Sequence, residues 1–140
     1  MQWAYRPVMP PSLRSVAPSP SRVVIVDADR RVQASLADLL AISGDVRVVG
    51  RAGDVRAALE MVELTRPDVA LIDPRLPDLE AGEALMRGLR LAWPAVRIVL
   101  TGWSDVDGHS LPSTARPRFV SKSASPEAFV AAIVDACCPT

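Results

Sequence analysis

Residues 66–77 read Arg66-Pro67-Asp68-Val69-Ala70-Leu71-Ile72-Asp73-Pro74-Arg75-Leu76-Pro77. The apolar run Val69 to Ile72 offers no polar face to solvent. It is closed before by Arg66-Pro67, where a helix must end, and after by an acid. Such a run spells a short strand covered on both sides, with Asp73 at its carboxyl end. The pattern recurs in both directions. Val23-Val24-Ile25-Val26 is closed by Asp27, Val46 to Val49 gives a second strand, Val96 to Leu100 a fourth closed by Thr101, and Arg118 to Ser121 a short fifth closed by Lys122.

Helical periodicity fills the intervals. Arg30 to Ser43 sets Val32, Leu36, Leu39 and Leu40 on one face before Gly44 stops it. Asp54 can cap a helix carrying Ala58, Leu59, Met61 and Val62. Glu83 to Ala92 turns Leu85, Met86 and Leu89 inward, and Ser125-Pro126-Glu127 opens a last helix whose buried face is Phe129, Val130, Ile133, Val134 and Cys137. Doubly apolar strands alternating with helices call for a parallel sheet with right-handed crossovers and both faces covered, a doubly wound α/β fold. Ligands of such sheets bind outside the carboxyl ends of the strands. Asp27, Asp29, Asp73, Thr101 and Lys122 all fall there.

At 140 residues the chain is long enough for one self-supporting core. Hydrophobic residues make up 49%, and 16 basic residues balance 16 acidic ones, so no broad basic field points to nucleic acid. Cys137 and Cys138 are adjacent, which suits neither a bridge between loops nor a spaced metal site, and favours a reducing, cytoplasmic setting. Residues 1–20 hold five prolines and no signal-peptide core, and read as a flexible tail ahead of a domain over 21–138. No segment reaches the ~18 apolar residues of a membrane span.

Carboxylates from two strand ends repel unless a cation lies between them, and a hard divalent ion, magnesium, is the expected neutraliser. A carboxylate beside a lysine and a hydroxyl can attack a phosphoryl group, since transfer is mostly positioning and charge stabilisation. Asp73 is the candidate nucleophile.

Val24-Ile25-Val26-Asp27, the 66–77 stretch, Val99-Leu100-Thr101-Gly102 and Phe119-Val120-Ser121-Lys122 resemble, in order and spacing, the motifs of response-regulator receiver domains of two-component systems. The resemblance covers roughly Arg22 to Ala136. It implies a flavodoxin-like sheet of order 2-1-3-4-5. It also implies Asp73 as phospho-acceptor, Asp27 in the acidic pocket, the backbone carbonyl of Arg75 as a metal ligand, Thr101 as switching hydroxyl, Lys122 as phosphoryl-pairing cation, and Phe119 as the aromatic switch. Pro77 also fits the pattern. The implied partners are a histidine kinase or phosphotransfer protein and a downstream protein target. The chain would not itself be an enzyme, any autophosphatase activity being incidental. Because it ends soon after its last expected helix, output is expected through docking or a homodimer rather than directly on nucleic acid.

Three departures qualify the resemblance. The second acid of the family's usual pair aligns with Ala28, removing a direct metal ligand; Asp29 lies one residue further, a candidate substitute ligand that also suits a helix cap. Gly108, Pro112 and Pro117 weaken the expected fourth helix across Ser104 to Pro117, so an irregular segment is expected there. Ser123 stands where the family often has proline, and the glycine usual near Ala81 appears as Gly82. Two readings follow. One is a phosphorylatable single-domain regulator; the alternative is a pseudo-receiver, the same fold used as a phosphorylation-independent interaction module. The missing Gly-rich loop after the first strand disfavours a nucleotide enzyme. Trp103 reads as a partly buried loop residue, and His109 has no assigned role.

Overall fold

A computed structural model describes residues 19–103 and 118–137. The expected tail, apart from Ser19 and Pro20, and the expected irregular helix across Ser104 to Pro117 lie outside the described residues, as does His109.

The chain alternates β1 (Ser21–Val26), α1 (Arg30–Ala41), β2 (Val46–Ala52), α2 (Val55–Thr65), β3 (Val69–Ile72), α3 (Leu79–Ala92), β4 (Arg97–Gly102), β5 (Arg118–Ser121) and α4 (Pro126–Cys137). The five strands form one sheet in the order β2-β1-β3-β4-β5, every pairing parallel. This is the flavodoxin-like order that the motifs implied. Among the described residues no helix is long and apolar enough to cross a membrane.

Alternation along the strands divides the core into two layers. Val23, Ile25, Val69, Leu71, Val99 and Val120 face α1 and α4, meeting Leu36, Leu40, Phe129 and Ile133. Val24, Val26, Ala70, Ile72 and Leu100 point the other way, onto Ala58 and Val62 of α2 and Leu85, Met86 and Leu89 of α3. All four residues of β3 are fully buried, as a central parallel strand requires. At about 25 cal/mol per Å2 of apolar surface, a buried Val, Leu or Ile side chain here contributes about 1.5–3 kcal/mol relative to exposure, before entropy is counted.

Several boundaries differ from the sequence reading. α1 stops at Ala41, two residues short of Ser43, while Gly44 takes φ 78° in the turn beyond. β2 runs on to Ala52, and β4 is Arg97–Gly102 rather than Val96 to Leu100, so that Thr101 is its fifth residue. α3 begins at Leu79, four residues before Glu83, because Asp78 caps it by accepting from the Ala81 amide. Early in that helix, Gly82 lies so close to the loop after β3 that an added Cβ would collide with the Pro74 carbonyl. On α4, Ala132 joins Phe129 and Ile133 in the core, whereas Val130, Val134 and Cys137 are half-buried at its edge.

Candidate functional site

Backbone pairing sets the site. The ladders continue one residue past the strands: Asp27 N donates to Ala52 O (3.0 Å), Asp73 N to Val26 O (2.9 Å), and Lys122 N to Gly102 O (2.8 Å). These bonds hold three charged residues in line at the carboxyl edge, and their side chains converge. Lys122 Nζ donates to Asp73 Oδ2 at 2.6 Å and forms an ion pair with Asp27 Oδ2 at 2.7 Å. The side chains of Lys122 and Asp27 are only 4% and 3% exposed, that of Asp73 13%.

The cation between the carboxylates is therefore an ammonium supplied by the chain. Burial alone would lower the lysine pKa, but pairing with Asp27 and Asp73 outweighs it and holds Lys122 above the ordinary value. One ammonium against two carboxylates leaves one negative charge in excess.

The second carboxylate oxygens are held by the backbone. Asp27 Oδ1 accepts from Asp29 N at 2.8 Å, and Asp73 Oδ1 from Arg75 N at 3.0 Å, each an Asx-type turn that fixes the side chain over its own loop. Two buried oxygens nevertheless lack a hydrogen bond among the described residues: Asp27 Oδ2, which has only the ion pair, and Thr101 Oγ1. Thr101 is 1% exposed. An unsatisfied buried hydroxyl at a strand end beside this cluster is suited to a polar ligand.

The other expected site residues are distributed more widely. Asp29 is exposed and caps α1, its carboxylate accepting from Arg31 N at 2.8 Å, so it serves in the capping role that competed with metal binding. No group of three or more His, Cys, Asp or Glu side chains able to hold a metal is present among the described residues. Among the described residues, the acids that could hold a divalent ion at this edge are Asp27 and Asp73. Asp27 Oδ2 and Asp73 Oδ2 already contact the Lys122 ammonium, so a divalent ion there would have to share these carboxylates with it. Phe119 is half-buried on β5 and packs against the α2 and α3 layer, in register with Leu100. Trp103 is not partly buried as expected: it is 68% exposed, and its ring centroid lies 5.5 Å from Lys122 Nζ.

Two residues of the site escaped the sequence reading. Gln33, 6% exposed on α1, donates its side-chain amide to Asp27 O (2.7 Å) and Ala52 O (3.2 Å), tying the ends of β1 and β2 together. Its signal was a polar residue on the buried face of an amphipathic helix. Gly82, treated as a small offset of the motif, permits the close seating of α3 on the loop after Asp73.

Comparison with known proteins bears on this geometry. Residues 23–134 match the family described as Response regulator receiver domain. The chain belongs to this family. Within it, the receiver is 40% identical over 84 residues to the DNA-binding transcriptional activator DevR/DosR of Mycobacterium tuberculosis, covering 59% of this chain and 38% of that protein. It is 30% identical over 111 residues to the transcriptional regulatory protein YhcZ of Bacillus subtilis, covering 78% and 51%. The signal receiver domain of NarL from Mycobacterium tuberculosis superimposes with a TM-score of 0.72 at 30% identity, over 88% of this chain and 100% of that one. The receiver thus spans about half or less of the curated relatives' length.

Proposed function

We propose that this receiver accepts a phosphoryl group on Asp73 from the phosphohistidine of a partner kinase or phosphotransfer protein and signals by protein docking. The observation that carries the reading is the contact between Lys122 Nζ and Asp73 Oδ2 at 2.6 Å, with the unpaired Thr101 hydroxyl on the neighbouring strand. In the reaction a carboxylate oxygen of Asp73 forms the new P–O bond while the P–N bond to the donor breaks, and the electron pair returns to the imidazole nitrogen. Lys122 then offers its ammonium to a phosphoryl oxygen, and the Thr101 hydroxyl donates to another. Phe119, packed on the sheet face below, is the side chain whose rotamer would respond to movement of Thr101. Asp27, Asp73 and the Arg75 carbonyl would hold magnesium, whose contribution is to neutralise charge on the phosphoryl oxygens.

A second reading, the phosphorylation-independent interaction module, draws on Ala28. Without the second acid, the pair of carboxylates is already bridged by Lys122, and the attraction for a divalent ion is reduced. Incubation with a small-molecule phosphodonor and magnesium, followed by intact mass, separates the two. Gain of one phosphoryl group supports the acceptor reading; no gain, with labelling restored by Ala28→Asp, supports the interaction module. Ala28→Asp is expected to bind magnesium more tightly than the unaltered chain, as measured by titration calorimetry.

A further inference from the structure

Away from the acid pocket, a concavity of about 390 Å3 lies between the end of α1 and the outer face of α4. Ile42, Val130 and Val134 give it an apolar floor, and Ile42 is 80% exposed. Asp45, Glu127 and Asp135 stand around it, and among the described residues none lining it is basic. Among the described residues Asp135 pairs loosely with Arg118, at 3.7 Å between side chains that are both more than half exposed. An exposed apolar trough with a one-sign rim fits an apolar segment that carries positive charge.

The chain contains such a segment, and it enters the fold at this rim. Ser21 N donates to Asp45 O at 2.9 Å, and Ser21 is in register with Val46, so the residues before Ser21 leave the sheet beside one of the three acids. Residues 1–18 contain Arg6 and Arg14 and no acid, with Trp3, Tyr5, Val8, Met9, Leu13 and Val16 as apolar side chains. Arg14 is seven positions before Ser21, a reach of at most about 25 Å from that anchor. The four prolines Pro7, Pro10, Pro11 and Pro18 each have a fixed φ, which reduces the backbone entropy that docking would cost. A short tether also gives the segment a millimolar-scale local concentration at the groove.

We propose that residues 1–18 dock in the groove between α1 and α4, with Arg6 and Arg14 facing Asp45, Glu127 and Asp135. The apolar side chains supply the burial, and the charges set the orientation.

The test uses the full chain and nitrogen-15 amide spectra. Replacing both Arg6→Glu and Arg14→Glu is expected to shift the amide resonances of Ile42, Val130 and Val134 and to speed hydrogen exchange of the segment a few-fold. The modest size follows from the small worth of exposed ion pairs. Asp45→Lys should do the same, and Asp45→Lys combined with Arg14→Glu should recover part of the protection. The contacts of Asp45 with its neighbours run through its carbonyl and amide, so changing its carboxylate leaves them in place. Groove resonances unmoved by the tail variants would overturn the proposal. So would shifts that vanish on dilution, which would make the occupant the tail of a second copy. A groove filled only by an added partner protein, indifferent to the tail, would overturn it too.

Discussion

The loops after β1 and β3 begin alike and end differently. Each opens with an aspartate whose Oδ1 accepts the amide two residues on, and each leads to a helix capped by a second aspartate, Asp29 or Asp78. After β1 the helix starts three residues beyond Asp27. Gln33 reaches back from it to the Asp27 carbonyl, leaving that side chain 3% exposed. After β3 the chain makes a longer detour through Pro74, Arg75 and Leu76 before α3, and Asp73 keeps 13% of its side chain open. The same residue type at two strand ends is thus a buried counter-charge in one loop and a more accessible carboxylate in the other. Loop length and the side chains that pin each loop make the difference, since burial withholds a carboxylate from an incoming group.

The largest expected effect breaks the symmetry outright. Asp73→Asn should abolish phosphodonor-dependent mass gain, with thermal stability close to that of the unaltered protein because Lys122 keeps Asp27 as its partner. Equal labelling of the variant would give the acceptor role to another residue. Asp27→Asn, by contrast, should reduce the labelling rate and leave the site of modification at Asp73, as peptide mapping would show.

Next comes the residue shared by both loops. Lys122→Met should cost about 3 kcal/mol in urea unfolding near neutral pH. It leaves two carboxylates facing each other, and the value lies at the low end for a broken buried pair because Asp73 reaches solvent. The lysine pKa is raised in the fold, so this stabilisation is complete below the unfolded lysine value and fades as pH rises through the folded one. On the alkaline side of neutrality, the gap between the unaltered protein and Lys122→Met should therefore narrow only under strongly alkaline conditions. A narrowing near neutrality would place the proton elsewhere.

Smaller effects probe each loop separately. Gly82→Ala forces α3 away from the Pro74 carbonyl and should cost about 1–3 kcal/mol while slowing phosphoryl acceptance, since the displaced loop carries Arg75. Asp29→Ala should cost only about 1 kcal/mol, the worth of an N-cap, with magnesium affinity and labelling unchanged. Loss of magnesium binding in that variant would instead show that Asp29 substitutes for the acid absent at position 28.

Much of this was legible in the sequence for a local reason. Strands buried on both faces, such as Val69 to Ile72, must be apolar throughout, and an acid at their end marks where the sheet meets solvent, so strands, fold class and the Asp27, Asp73, Thr101 and Lys122 set followed from pattern and motif. Helix starts were less legible: a cap at Asp78 could not be told from any loop aspartate until its carboxylate was seen on the Ala81 amide. The sequence by itself determined the alternation, the parallel sheet and the residues at its carboxyl edge, because periodicity and burial are properties of short segments. Only the tertiary structure decided that Lys122 bridges both carboxylates, that Gln33 locks one loop, that Gly82 admits the other, and that Trp103 stands open above the lysine. Each of these joins residues far apart in the chain or separated by a turn, and depends on how closely packed elements approach, a distance that no local pattern encodes.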